Sequence, residues 1–308
     1  MITFSVLMDF TPEAENALAY AVALTRNLVS RQLRAEVYLI VPLPTATDPA
    51  APYFPHTAGL RPAGAARRLH QHTYSVAQQV PCRSQLLTGP LDESLPALLD
   101  GSRSNVVVLG RPADDDGTAA PATALYLVQL LQQPLLIVPA DFAAPAAAPS
   151  RVALDTDCQP VRLPANARHV SELLLCLLQD SRVLYLGAGR KAAARLLTEL
   201  IPKAVGIHVY TANETAPAPE QLLQRFDEMG FLHELPHTVQ TTYHSCVEEG
   251  IIETALANGA ELLLFVARQR TLAGQRFEDS ATAQLMQHCP IPALVVPEAA
   301  PVRWTRYA

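Results

Sequence analysis

Apolar residues in the first half of the chain fall into short runs separated by polar turns. Phe4, Val6, Leu7 and Met8 close on Asp9, Val37-Tyr-Leu-Ile-Val41 is almost wholly apolar, and Asn105-Val-Val-Val-Leu-Gly110 and Leu135-Leu-Ile-Val138 repeat the pattern. Near-continuous apolar runs of this length predict strands buried on both faces of a parallel sheet. Between them the spacing changes to the helical period. Thr11-Pro12-Glu13 opens a helix: threonine caps, proline suits the first helical position, and glutamates favour the positive end of the dipole. Ala14, Ala17, Leu18, Ala21 and Leu28 then recur on one face. Further helices are expected over 64–80, 93–99 and 121–132, with a short strand at 83–88. The stretch from Pro44 to Pro62, rich in Pro, Ala and Thr, reads as a long loop or lid.

The second half repeats the scheme. Leu91-Asp92-Glu93-Ser94-Leu95 corresponds to Val247-Glu248-Glu249-Gly250-Ile251, and Asn105–Gly110 corresponds, in the same register, to Glu261–Val266. Pro134–Pro139 matches Pro292–Pro297, and Val6–Asp9 matches Val152–Asp155, in the same order. The chain is thus expected to contain a repeat of roughly 150 residues. Alternating strands and helices make each copy α/β, a doubly wound parallel sheet with helices on both faces. Two tandem domains are expected, at 1–143 and 151–299, with a linker at 144–150 inside the Ala- and Pro-rich stretch 140–150, and a tail at 300–308. Within 156–236 two strand candidates compete for one place, Val183–Leu186 and Val205–Val209, and the pattern does not choose between them.

Composition narrows the function classes. With 308 residues, 49% of them hydrophobic, the chain can bury two cores without disulfide staples. Five scattered cysteines include no C-x-x-C pair, which fits reduced thiols in a cytoplasmic protein rather than a zinc or redox site. A net charge of −6 argues against nucleic acid as a partner. No apolar run is long enough to span a membrane, and the N-terminus lacks the basic start of a signal peptide. The histidines form no HExxH and no other convincing metal-ligand set. Neither a Walker A motif nor a G-x-S-x-G elbow is present. Gly187-Ala-Gly189-Arg-Lys-Ala192 has the outline of a dinucleotide fingerprint, but the next strand candidate ends without the ribose-binding acid, so a tight turn is the better reading.

Asp9-Phe10-Thr11, with the order of elements, resembles the universal stress protein family, whose first strand ends in an acid followed by a small or aromatic residue and a hydroxyl. A second mark of that family, G-x2-G-x9-G-[ST], follows its fourth strand. The resemblance covers nearly the whole chain and is weakest at 156–236. In ATP-binding members the acid contacts the adenosine part. The glycines let backbone N–H groups approach the phosphates, beside a hydroxyl at a helix N-terminus. By resemblance the candidate ligand-binding positions here are Asp9, Phe10, Thr11, Val41, Gly110 and Thr123 in the first half, and Asp155 and Ser280 in the second.

The chain departs from the pattern in both copies. After Gly110 the next glycine is replaced by Ala113, and Asp114-Asp115-Asp116 stand where phosphates would lie. Carboxylates there repel a triphosphate unless a metal intervenes. In the second copy the positions are Val266, Gln269, Asp279 and Ser280, and only the hydroxyl is kept. Arg268, Arg270 and Arg276 near Ser280 read as a solvated loop. The expected function is a stress-response protein without catalysis, acting through protein contacts or by sensing a small ligand in a degenerate nucleotide cleft. The alternative is an ATP-binding protein with slow hydrolysis in the first domain, so no cofactor is assigned beyond ATP as that alternative's ligand. Partners are expected to be proteins. The two copies are expected to pair internally as a pseudo-dimer through their last strands, and a homodimer of such chains stays open.

Overall fold

The computed structural model describes residues 1–100, 104–112, 120–144, 149–155, 170, 173, 204–212, 214–229, 237–268 and 280–299. In chain order the elements of the first half are β1 (Ile2–Leu7), α1 (Pro12–Ser30), β2 (Ala35–Leu43), a short 3-10 turn (Ala51–Tyr53), α2 (Pro62–Ala77), β3 (Cys82–Thr88), α3 (Leu91–Asp100), β4 (Asn105–Arg111), α4 (Ala120–Leu130) and β5 (Leu135–Pro139). Those of the second are β6 (Val152–Asp155), β7 (Ala204–Tyr210), α5 (Pro219–Met229), β8 (His237–Tyr243), α6 (Val247–Ala257), β9 (Leu262–Ala267), α7 (Ala281–His288) and β10 (Ala293–Pro297).

The strands form one sheet in the order β3-β2-β1-β4-β5-β10-β9-β6-β7-β8. Read from its two ends, the order is the same sequence of equivalent strands. Every neighbouring pair is parallel except β5 and β10, where Leu136 faces Leu294 in antiparallel register. Beside β6, in the place that β2 takes beside β1, stands β7, with Val152 opposite Ala204. Of the two competing strand candidates, Val205–Val209 fills that position, and Val183–Leu186 lies outside the described residues, as does Gly187–Ala192.

Each face of the sheet carries its own apolar core. α1 and α2 pack on one face of the first half, and α5 on the same face of the second, with Tyr20, Leu28, Val37 and Phe226 fully or almost fully buried. On the other face lie α3, α4, α6 and α7, with Leu95, Leu127, Ile251 and Met286. The cap at the start of α1 forms as the residue types dictate. Thr11 is extended, its hydroxyl accepts a hydrogen bond from the Ala14 amide at 3.3 Å, and Pro12 takes the first helical position.

The 44–62 stretch is a packed segment rather than an open lid. Asp48 accepts hydrogen bonds from the Ala50 and Leu91 amides at 2.8 and 3.2 Å, tying it to the start of α3, and Phe54 and Thr57 are buried. The two halves also meet through a side chain. Arg111, at the end of β4, is buried and donates from Nη2 to the Cys289 carbonyl just after α7, at 2.6 Å. Arg111→Ala strands that carbonyl and is expected to cost about 2 kcal/mol, read as a lower urea midpoint. An unchanged midpoint would mean the bond is not formed in solution.

Cys289 itself is buried, and the loss of solvent pushes its thiol up from the ordinary 9.0 to about 11, against smaller downward pulls from the Ile291 amide and the Arg111 charge. Because the folded value is the higher one, this contribution is complete below about pH 9 and fades as pH rises towards 11. Relative to Cys289→Ala, the parent should therefore lose up to ~3 kcal/mol across that window. Parallel denaturation curves for the two proteins from pH 8 to 11 check this, and identical pH slopes would refute it.

Candidate functional site

The strand order of the first half turns at β1. One connection leaves towards β2, and the chain later returns on the other side as β4. In open α/β sheets the crevice beyond the carboxyl ends of such strands is where ligands bind. A cavity of about 520 Å³ occupies this place, within the usual size range of small-molecule sites.

Its floor is the end of β1 (Leu7 to Asp9) and the first turn of α1. One wall comes from β4 and the residues after it, Leu109, Gly110 and Pro112. The other comes from Pro42 at the end of β2 and from Tyr53 to His56, with Thr123 of α4 closing the side. Asp9 holds a tight local geometry: its Oδ1 accepts from the Thr11 amide at 3.1 Å and from the Thr11 hydroxyl at 2.7 Å. The Thr123 hydroxyl donates to the Tyr53 carbonyl at 2.7 Å, and the Tyr53 and Tyr126 rings stack 4.3 Å apart. The aromatic wall is thereby fastened to α4.

Gly110 has a packing reason of its own. A Cβ there would lie 2.2 Å from the Glu13 carbonyl oxygen and 2.7 Å from the Ala14 amide nitrogen, so only glycine lets α1 sit this close to β4. The phosphate approach suggested by the sequence pattern is not needed to explain it.

The sequence-based candidates divide accordingly. Asp9, Thr11, Gly110 and Thr123 all line the cavity. Phe10 does not. It adopts a left-handed backbone, φ 66°, and turns its ring to α2, where His72 stacks on it and the Arg68 guanidinium lies 4.1 Å above it. Val41 is fully buried in the core, and its neighbour Pro42 is the residue that reaches the cavity. Asp155 ends β6, with Ile207 opposite it, and Ser280 caps α7 by accepting from the Ala283 amide at 3.2 Å. The segments that flank these two, 156–169 and 269–279, lie outside the described residues, together with Asp114 to Asp116, Arg270 and Arg276. Tyr53, Phe54 and His56 were not anticipated. Their only signal is an aromatic cluster, Tyr-Phe-Pro-His, inside an otherwise Pro-, Ala- and Thr-rich stretch.

Among the described residues no cluster of three His, Cys, Asp or Glu side chains could hold a metal ion, and no helix is long and apolar enough to cross a membrane.

The sequence profile of the universal stress protein family matches residues 189–297, so that match lies wholly in the second half. No curated protein matches the chain in sequence. In structure it is similar to a universal stress protein from Archaeoglobus fulgidus DSM 4304, at 11% identity and a TM-score of 0.61, over 96% of this chain and 98% of that one. It is similar also to a protein of unknown function from Pseudomonas aeruginosa PAO1, at 14% identity and a TM-score of 0.50, over 96% of this chain and 92% of that one. Residues 189–297 thus match the universal stress protein family, and over 96% of its length the chain has the fold seen in the Archaeoglobus fulgidus universal stress protein.

Proposed function

We propose that this protein is a stress-response factor that works without catalysis, by binding a small molecule in the first-half cleft and presenting the resulting surface to protein partners. The observation that carries this reading is the cavity at the turning point of the strand order, lined by Asp9, Thr11, Gly110 and Thr123 yet poor in groups for phosphate. The hydroxyls of Thr11 and Thr123 are already donating, to Asp9 and to the Tyr53 carbonyl. No Lys or Arg stands among the described lining residues. Nucleotide sites rely on backbone amides, a cation or a metal to offset phosphate charge.

The boundaries 1–143 and 151–299 and a cytoplasmic location belong to this reading, as does an internal pseudo-dimer. The pseudo-dimer is supported by the antiparallel β5–β10 pair and the mirrored strand order. The second reading, ATP binding with slow hydrolysis, draws on the position of Asp9 beside the N-terminus of α1 in this cleft.

Denaturing the purified protein and identifying the released small molecules by mass spectrometry tests the choice. Release of a compound without phosphate, in proportion to protein, is the expected result. Release of ATP or ADP would put the second reading in its place.

A further inference from the structure

We infer that the first-half cavity selects an organic cation with an apolar body. The inference rests on reading this cleft as a ligand site, and it names the class of ligand.

Charge comes first. The described lining carries two carboxylates, Asp9 and Glu13, and its sole basic side chain is His56. The guanidinium that ends β4, on Arg111, is directed away, to the Cys289 carbonyl.

Hydrogen-bond donors are equally scarce. Pro12, Pro42, Pro55 and Pro112 line the cavity and have no N–H to offer. The Ala14 amide is taken by the Thr11 hydroxyl, and the Thr11 amide by Asp9. An anion entering here meets like charge and few donors. A cation meets two carboxylates and the rings of Tyr53 and Phe54, with the Tyr53 ring held by its stack on Tyr126. Aromatic faces attract quaternary and protonated amines, most strongly when water is excluded.

A bare metal ion is the poorer fit, because no three ligating side chains converge among the described residues. A volume of about 520 Å³ also leaves room for an apolar body.

The test compares choline with its uncharged carbon isostere, dimethylbutanol, titrated by calorimetry into the full chain. The two have nearly the same shape, so a difference reports charge. Choline is expected to bind roughly tenfold more tightly. Asp9→Asn keeps an oxygen for the Thr11 contacts while removing the charge, so it should erase the preference without lowering the thermal midpoint. Glu13→Gln, in the first turn of α1, should reduce it. Equal binding of the two probes, or an Asp9→Asn variant that keeps the preference, overturns the inference and leaves the cleft standing as a small-molecule site. No binding of either probe at millimolar concentration, with nothing released from the denatured protein, overturns both.

Discussion

Gly110→Ala is expected to lower the stability of the chain by about 3 kcal/mol, the upper part of the range for overpacking. The added Cβ would fall 2.2 Å from the Glu13 carbonyl oxygen and 2.3 Å from its carbon, and neither is a side-chain end that can swing aside. Either α1 lifts from β4 or β4 bends. Both changes open the core that Ala14, Ala17 and Val108 share beneath the helix, and both distort the cavity, since Glu13 and Gly110 both line it. A urea midpoint well below the parent's, with an unchanged m-value, is the expected observation. A variant as stable as the parent would show that α1 does not seat against β4 as described. The result also separates two meanings of the residue, because a glycine kept only for ligand approach could become alanine without loss of stability.

Phe226→Ala should cost still more, about 3–5 kcal/mol. The ring is fully buried where α5 crosses β7, and Gly206 of that strand leaves the space it fills. A Cβ on Gly206 would stand 2.6 Å from the ring. The pair therefore makes a coupled prediction: Gly206→Ala is damaging alone but milder in a Phe226→Leu background, because the smaller side chain yields the space. Independent, additive effects in a double-mutant cycle would mean the two are not in contact. Since β7 stands next to β6, loss of this contact should loosen the second half before the first, which hydrogen exchange resolved along the chain would register.

These two glycines show why the fold was more legible than the site. Runs such as Asn105–Gly110 and Leu135–Val138 announce buried strands because both faces of the sheet are covered, leaving no polar alternation to confuse the period. Thr11-Pro12 announces a helix start because capping is a local interaction between residues close in sequence. Asp9 is legible for a related reason, since a strand-end acid before a capped helix lies at the mouth of any such sheet. Of the two edge strands, β3 was legible as the short run at 83–88, and β8 was harder. β8 alternates between half-buried and exposed residues and packs few apolar side chains, so its signal is weak.

The role of Gly110 was not legible, because the requirement for glycine comes from α1, nearly a hundred residues earlier in the chain. The Tyr53–His56 wall was hidden for the same kind of reason. Those residues form no periodic element, and they gain their place only through Asp48 bonding the start of α3 and Thr123 bonding the Tyr53 carbonyl. Phe10 entered the candidate set only through its place in the Asp9-Phe10-Thr11 signature, which says nothing of where the ring points. Its left-handed backbone aims the ring at His72 and Arg68.

The first-half cleft lies at the turning point of the strand order, where open α/β sheets bind ligands, and its described lining offers phosphate no Lys or Arg. Calorimetric titration of ATP with magnesium into the full chain tests this most directly. No saturable heat is expected below about millimolar nucleotide, because acids and prolines line the cleft and no Lys or Arg stands among the described lining residues. One-site binding at micromolar concentration, abolished by Asp9→Ala, would contradict that expectation.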